Sequence, residues 1–591
     1  MEAPARKALR NAVVGALWGL GFAGLLAPRG GAAPMLGALL GSALAFLRPA
    51  LPALSHPLAA GLAAAAGLLM SVWPEPTFFL LVPLLAAAVA WPVGPSDDRP
   101  SAVPRGALLA SAAVAAAVFF VQSARRHWQF GSGSDLALFT QQHWLIAFGH
   151  SPYNTLMDMH MLADHATFVD FLVAPVFRLY AGAETLLLVQ ALVVASAVFP
   201  LFGLAERLIG SARPALLLSW VWLLSYEVHM GVMFDYNQST LGAALLAWTA
   251  WALVCRGPAA VLVTSLLTVA CKTNFPPYVA VLALVLALLR VIPRRRAIAV
   301  ALLALVVFVV DVKVVVPFFR TEGLRHWRYE DLGETPAEIA AGALHHPGRV
   351  ASLLVDQPEK RRSLLLPLAN VGFLGLAEPA SLLLQLPNWA ERFLSTHPIR
   401  WWGYYYGMPA TTSAMVGLLL GWRRLRRVGR ASAALPRYVL ACATLAAVFP
   451  PYRTPGGNPR SDLLVLRQPY ASDPENVATQ RAAVAFVGRD PGLRVAAQYH
   501  LLPHLATRVF IVPLDRAPEA DVVVLQIGGG THPGRRPAWR RQMREVLSTG
   551  AFRVAFCAER SVVLRRGPGA DVTCPAWEAE RAALEAAPDP S

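Results

Sequence analysis

Charge is what this chain has least of. Asp, Glu, Lys and Arg make up 15% of its 591 residues against 56% hydrophobic ones, and the mean hydropathy is +0.47. Soluble domains carry about 25% charged residues, so an ordinary water-exposed enzyme is excluded and a polytopic membrane protein is implied. Lysine is scarcest: Lys7, Lys272, Lys313 and Lys360 are the four in the chain, and arginine supplies the rest of the basic charge behind the formal +16. The basic clusters lie beside apolar runs rather than among aromatics on a polar domain. They therefore read as topology signals, and nucleic acid is not a partner.

Cysteine is nearly as scarce. Of five, Cys255, Cys271 and Cys442 lie in or beside apolar segments as packing residues, so no disulfide framework exists. Cys557 and Cys574 fall together near the C-terminus, where an oxidising compartment would let them pair. CxxC and HExxH spacings are absent, and the glycine-rich IGGGTHPG is neither GxGxxG nor a phosphate loop. No metal ligand is assigned; no cofactor is certain, and a divalent metal stays open.

What is present is a series of apolar windows of roughly 16–23 residues, each about long enough to cross a hydrocarbon core as helix. The basic N-terminus, with Arg6, Lys7 and Arg10, belongs in the cytoplasm. PRGGAAP is a poor cleavage site, so the first span is retained. Spans are expected near 11–27, 32–47, 55–72, 77–93 and 106–122, which puts residue 123 onward outside. TFVDFLVAPVFRLYAG, interrupted by Asp170, Pro175 and Arg178, reads as a helix lying at the interface. Further spans follow near 184–205, 214–233, 239–255, 258–271, 277–292, 297–318 and 435–450, with a proline-broken, kinked or re-entrant pair over 364–389.

On this count VIPRRRA and GWRRLRRVGR are cytoplasmic. Four polar stretches are extracytoplasmic: GSGSDLALFTQQHW, FDYNQST, CKTNFPP and HPIRWWGYYYGMP. The expected organisation is N-terminal spans over 1–122, a membrane core with outer loops over 123–450, an extracytoplasmic α/β domain over 451–567 and a disordered tail over 568–591. In the α/β domain ENVATQRAAVAFV and RPAWRRQMREVLSTG read as helices, RVAAQ, VFIVP and DVVVLQ as strands, and FRVAFCAERSVVLRRG as a hairpin.

Four outer loops from distant positions can form a cleft at the membrane surface, suited to a substrate with a lipid tail and a polar head. Asp135 is the candidate base; Lys272, His165 or Arg400 can neutralise a departing phosphate. A plainer reading stands beside each. Ser134 or Asp135 can cap the following helix, His143 and Trp144 can anchor it at the interface, His165 can be a solvated loop residue, and Lys272 can snorkel. WWGYYYG reads as an aromatic belt first and a sugar-stacking platform second. Asp311 and Lys313, two apart on one helix, receive no role.

The order of these segments resembles the multi-pass prokaryotic membrane proteins of domain of unknown function 2079. The resemblance rests on SDLALFTQQHW, HATFVDFLVAPVFRLYAGAETLLLVQALVV, FDYNQSTLGAALLAW, CKTNFPPY, WWGYYYGMPATT and VAAQYHLLPHLATRVFIV, over roughly 123–564. That family is similar to GT-C glycosyltransferases, which use polyprenyl-phosphate sugar donors outside the membrane. The resemblance implies a mainly α, GT-C-like helical bundle with a small α/β domain. It makes Asp135 the base in the first large outer loop, with Gln141 and Trp144 completing the local pattern and His165 opening the next segment. Asp235, Arg400 and Tyr405 join His165, Lys272 and Gln141 as substrate-binding candidates, and membrane lipid and a polyprenyl-phosphate-linked sugar are the implied partners. Where family members tend to carry ionisable groups, this chain has Tyr236 and Asn237, Thr273 and Asn274, and Tyr405. These substitutions keep a second reading open, a non-catalytic relative that binds lipid-linked glycans or a partner protein. A transporter is unsupported, because no internal repeat is found.

Overall fold

The computed structural model describes residues 105–320, 328–329, 332–333, 335–402, 404–431, 434–448, 476–528 and 536–586. The spans expected at 11–27, 32–47, 55–72 and 77–93 lie outside the described residues, as does most of IGGGTHPG.

Among the described residues, Gly106–Trp128, Ala183–Ile209, Gln238–Cys255 and Arg294–Phe319 are long and apolar enough to cross a membrane. Ala212–Leu224 and Tyr226–Met233 make a fifth crossing if taken as one segment bent by 44°. The bend falls at Ser225, whose extended backbone interrupts the helix. Gln238–Cys255 lies at the centre, with 72% of its apolar window buried, and Arg294–Phe319 at the periphery with 17%. The leucines and valines on that outer helix, such as Leu302, Leu305 and Val306, are exposed. Pro258–Val269 and Phe275–Leu288, expected to span, have 12 and 14 residues. At 1.5 Å per residue they cover about 18–21 Å, less than the roughly 30 Å of a hydrocarbon core. The turn between them carries Lys272.

The segment expected at the interface is a short helix, Val169–Val173, running into a 3-10 turn, Ala174–Arg178. Phe168, Phe171, Leu172, Val176 and Leu179 are exposed, whereas Val169, Asp170, Val173 and Phe177 are buried. An apolar outer stripe over a packed inner one is what a helix lying on a bilayer presents. Over 364–389 the expected break is also present. The helix Pro358–Asn370 gives way to two 3-10 turns, Leu374–Ala377 and Pro379–Gln385, before Leu386–Phe393.

The bundle is two-sided. At one end arginines reach the last carbonyls of neighbouring helices: Arg296 donates to Leu253 O at 2.7 Å, Arg423 to Leu289 O at 3.4 Å, and Arg426 to Ile209 O. The polar loops that hold the candidate residues gather at the other end, beneath the C-terminal domain.

That domain is a five-stranded sheet in the order Ile511–Pro513, Val495–Ala497, Val522–Gln526, Ser561–Arg566, Phe552–Ala558. The first three strands are parallel and the hairpin adds on antiparallel. Successive side chains face opposite ways, so Val495, Ala497, Val522 and Val524 face one core, and Ala496, Val523 and Leu525 the other. Burial on both faces explains why these strands read as unbroken apolar runs. The first core also takes in Phe130 and Ala137, so domain and membrane bundle share it.

The tail does not match the expectation of disorder. Residues Pro575–Ala586 form a helix whose Trp577 and Leu584, seven apart on one face, are buried against the sheet. Cys557 and Cys574 are disulfide-bonded, which ties the hairpin to the start of that helix. Closing a loop of this length stabilises by about 3 kcal/mol. Cys574→Ser is therefore expected to loosen the terminal helix, read as faster proteolysis between residues 566 and 575 of the full-length protein; unchanged cleavage would show that packing of Trp577 alone holds it.

Candidate functional site

The site is assembled on a buried polar frame. Asp170 is fully buried, and its Oδ2 accepts from Gln142 Nε2 and Gln238 Nε2, both at 2.7 Å. Its Oδ1 accepts from Tyr236 Oη at 3.2 Å and faces His143 Nε2 at 3.1 Å. A buried carboxylate is tolerable only when its lone pairs are met this way. Every polar residue of DYNQ has a structural task here: Asp235 pairs with Arg126 at 2.6 Å, Tyr236 and Gln238 hold Asp170, and Asn237 caps the next helix by accepting from Ser239 N. His143 and Trp144 are buried in this frame and are not interfacial anchors.

Asp135 stands on the first turn of the helix Ser134–Ala147. It does not cap that helix, and neither does Ser134: the N-cap residue is Gly133, with no side-chain cap bond. The loop before it is held from below by the second oxygen of Asp235, which accepts from Gly133 N at 3.0 Å. Asp135 is half-buried, and among the described residues its carboxylate makes no hydrogen bond or ion pair. Burial, then the negative charge of Asp235, raises its pKa to about 6, while Lys272 pulls the other way.

Lys272 faces the same space. It too has no hydrogen-bonded partner among the described residues, and its Nζ lies 5.7 Å from the centre of the Tyr405 ring, a cation–π contact. Burial lowers its pKa, and the charges of Asp164, Glu391 and Asp135 oppose that shift. Around the pair stand Tyr405 and Tyr406, whose hydroxyls are 2.9 Å apart, and both feel the charge of Asp135. Glu391 is held by Asn274 at 2.7 Å and Tyr278 at 2.9 Å. Arg400 donates to Tyr329 Oη at 2.9 Å, and its charge acts on Lys272 and Tyr406. The loop carrying Arg400 is shaped by Arg392, a buried guanidinium that donates to the carbonyls of Arg400, Trp401 and Trp402. Tyr404 and Tyr405 are buried and both pack on Phe234, so this part of WWGYYYG is not a membrane belt.

The structure thus brings Asp135, Lys272, Arg400 and Tyr405 to one place. Asp235 lies directly beneath, committed to Arg126 and Gly133. His165 is half-buried beside Asp164, 3.9 Å away, in a segment fastened to the Lys272 turn by Ala166 N donating to Thr273 Oγ1. Gln141 does not belong to this group. It is fully buried and donates to Thr155 Oγ1 at 2.7 Å and to Val509 O at 3.1 Å, joining its helix to the C-terminal domain. Asp164, Glu391, Arg392 and Asp170 are additions that the sequence alone did not single out. For Asp170 and Glu391 nothing in the immediate neighbourhood marks them, since their partners are distant in sequence. Among the described residues no three His, Cys, Asp or Glu side chains are gathered to hold a metal ion.

Residues 126–562 match the family described as "Predicted membrane protein (DUF2079)". The chain belongs to that family. No curated protein matches it. Among solved structures it is similar to ArnT from Cupriavidus metallidurans in the apo state, at 14% identity and a TM-score of 0.45, over 79% of this chain and 99% of that one. In this DUF2079 member the matched region begins at Arg126, the partner of Asp235, and ends inside the last strand of the sheet. It contains Asp135, His165, Asp235, Lys272, Arg400 and Tyr405.

Proposed function

We propose that this DUF2079 protein is a GT-C-like glycosyltransferase that moves a sugar from a polyprenyl-phosphate donor to an acceptor hydroxyl on the extracytoplasmic side. The observation that carries the reading is a half-buried carboxylate, Asp135, and a half-buried ammonium, Lys272, both without hydrogen-bonded partners among the described residues and near enough for each charge to act on the other. In a structure that gives the buried Asp170 three hydrogen-bond donors, two charges left without hydrogen-bonded partners cost stability and are explained by a ligand that completes them.

In the transfer, the acceptor oxygen forms a bond to the anomeric carbon while its proton passes to Asp135. The bond from that carbon to the phosphate oxygen breaks, and its electron pair leaves with the polyprenyl phosphate. Lys272 and Arg400 offset the charge that develops there. Tyr405 and Tyr406 line the wall beside them. The side assignment rests on the arginine-rich opposite end, which the positive-inside rule places in the cytoplasm, and on the disulfide, which suits an oxidising compartment.

Purified full-length protein in liposomes, given polyprenyl-phosphate sugars, is the test. Turnover is expected on the acid side only while Asp135 is ionised. Its pKa of about 6 means that the rate falls as pH drops through 6, approaching tenfold per pH unit below it. A rate flat from pH 5 to 8 would remove Asp135 as base. Donor binding without turnover would favour the second reading, a glycan-binding relative, for which the neutral Thr273, Asn274 and Tyr405 speak.

A further inference from the structure

The loop that delivers Asp135 is gripped by residues from the far end of the chain. Arg481 donates to Trp128 O at 3.0 Å, and His504 stacks on His127 with ring centres 4.0 Å apart and lies 4.1 Å from Phe130. The last contact before the carboxylate is made by Tyr499. Its side chain is hydrogen-bonded to Ser134, one residue before Asp135. Its ring lies so close over Gly133 that a Cβ built there would stand 2.5 Å from Cε1 and from the hydroxyl. Gly133 has φ −111°, an ordinary value for any residue, so it is this ring and not the backbone that demands glycine.

We propose that Tyr499 is a positioning residue of the cleft: its ring and hydroxyl fix the turn at Gly133 and Ser134 and thereby hold the Asp135 carboxylate in place. The proposal deepens the glycosyl-transfer reading and rests on it only where activity is measured. It gives the C-terminal domain a part in the site. The sheet shares its core with Phe130 and Ala137, so the domain is a fixed base from which Tyr499 can act. The charges of both Asp135 and Asp235 also act on Tyr499, as expected for a hydroxyl bordering the same pocket.

The test uses the full-length protein with Tyr499→Phe, Tyr499→Ala, Gly133→Ala and the Gly133→Ala/Tyr499→Ala double variant. Carbodiimide labelling of Asp135 followed across pH by mass spectrometry reports the carboxylate without reference to turnover. Tyr499→Ala is expected to let water in and move the Asp135 midpoint down from about 6 by roughly one pH unit. Gly133→Ala displaces the same ring and is expected to do likewise. Adding it to Tyr499→Ala is expected to change nothing more, because the nearest atoms its Cβ meets have gone. With a polyprenyl-phosphate sugar as donor, kcat in Tyr499→Ala is expected to fall between about 10- and 100-fold with KM for the donor nearly unchanged, and Tyr499→Phe to recover part of the loss. An unmoved Asp135 midpoint in both Tyr499→Ala and Gly133→Ala, or losses that add in the double variant, would overturn the proposal. Failure of the wild-type protein to turn over the donor would overturn the functional reading instead, and the labelling would still decide the role of Tyr499.

Discussion

Asp135→Asn is expected to lower sugar transfer by on the order of 10²–10⁴-fold, the usual loss when a general base is removed, and at the same time to make the protein more stable at pH 7.5. The two effects have one origin. The carboxyl has a folded-state pKa of about 6, above the ordinary 3.8, because burial and Asp235 oppose its charge. A group raised in this way contributes stability that is fully present below the unfolded value and lost as pH rises through the folded one. Near pH 7.5 the ionised side chain is therefore a liability to the fold, and an amide of the same shape removes it. Stability–activity opposition of this kind marks a functional group rather than a structural one. Transfer rates and unfolding midpoints in detergent check both halves; a variant that is less stable as well as inactive would mean that the carboxylate serves the fold.

Asp170→Ala is the contrasting case, with a loss of about 3–5 kcal/mol expected, since removing the carboxylate leaves several buried donors without an acceptor, at about 1–3 kcal/mol each. Gln142, Gln238 and Tyr236 would each lose the same acceptor. The loss should appear as a lower unfolding midpoint in mixed micelles. Any loss of transfer should follow the folded fraction. If Asp170→Ala instead folded normally and lost only activity, Asp170 would have to be moved from the frame into the chemistry.

Much of this fold can be read from the chain by one-dimensional pattern. Long apolar runs marked the spans around 106–122, 184–205 and 239–255, and short apolar runs bounded by turn residues marked every strand of the C-terminal sheet. The proline cluster at 367, 379 and 387 marked the broken segment, because proline removes the donor that a continuing helix needs. The site was legible only in outline. Asp135 and Lys272 stood out as rare charges flanking apolar runs, and the fold brings them near enough for each charge to act on the other. Gln141 stood out equally and faces the C-terminal domain, since nothing local tells which side of the helix Ser134–Ala147 meets Thr155 and Val509. Asp170 looked like a flaw in an apolar run because its partners lie 28 to 68 positions away. The terminal helix carried a usable signal that its Ala/Glu-rich composition obscured: Trp577 and Leu584 fall two turns apart, with Pro575 at the first helical position.

The shared core between bundle and domain also sets an order of manufacture. A ribosome releases Gly133, Gln141 and Thr155 more than 350 residues before it reaches their respective partners, Tyr499, Val509 and Ile511. Until the last fifth of the chain has been synthesised, the loop that presents Asp135 has its hold on Asp235 but not its packing against the C-terminal domain through Phe130 and Ala137. A chain that stalls or is clipped before residue 490 therefore lacks every contact that Tyr499, Val509 and Ile511 make to the first outer loop and its helix.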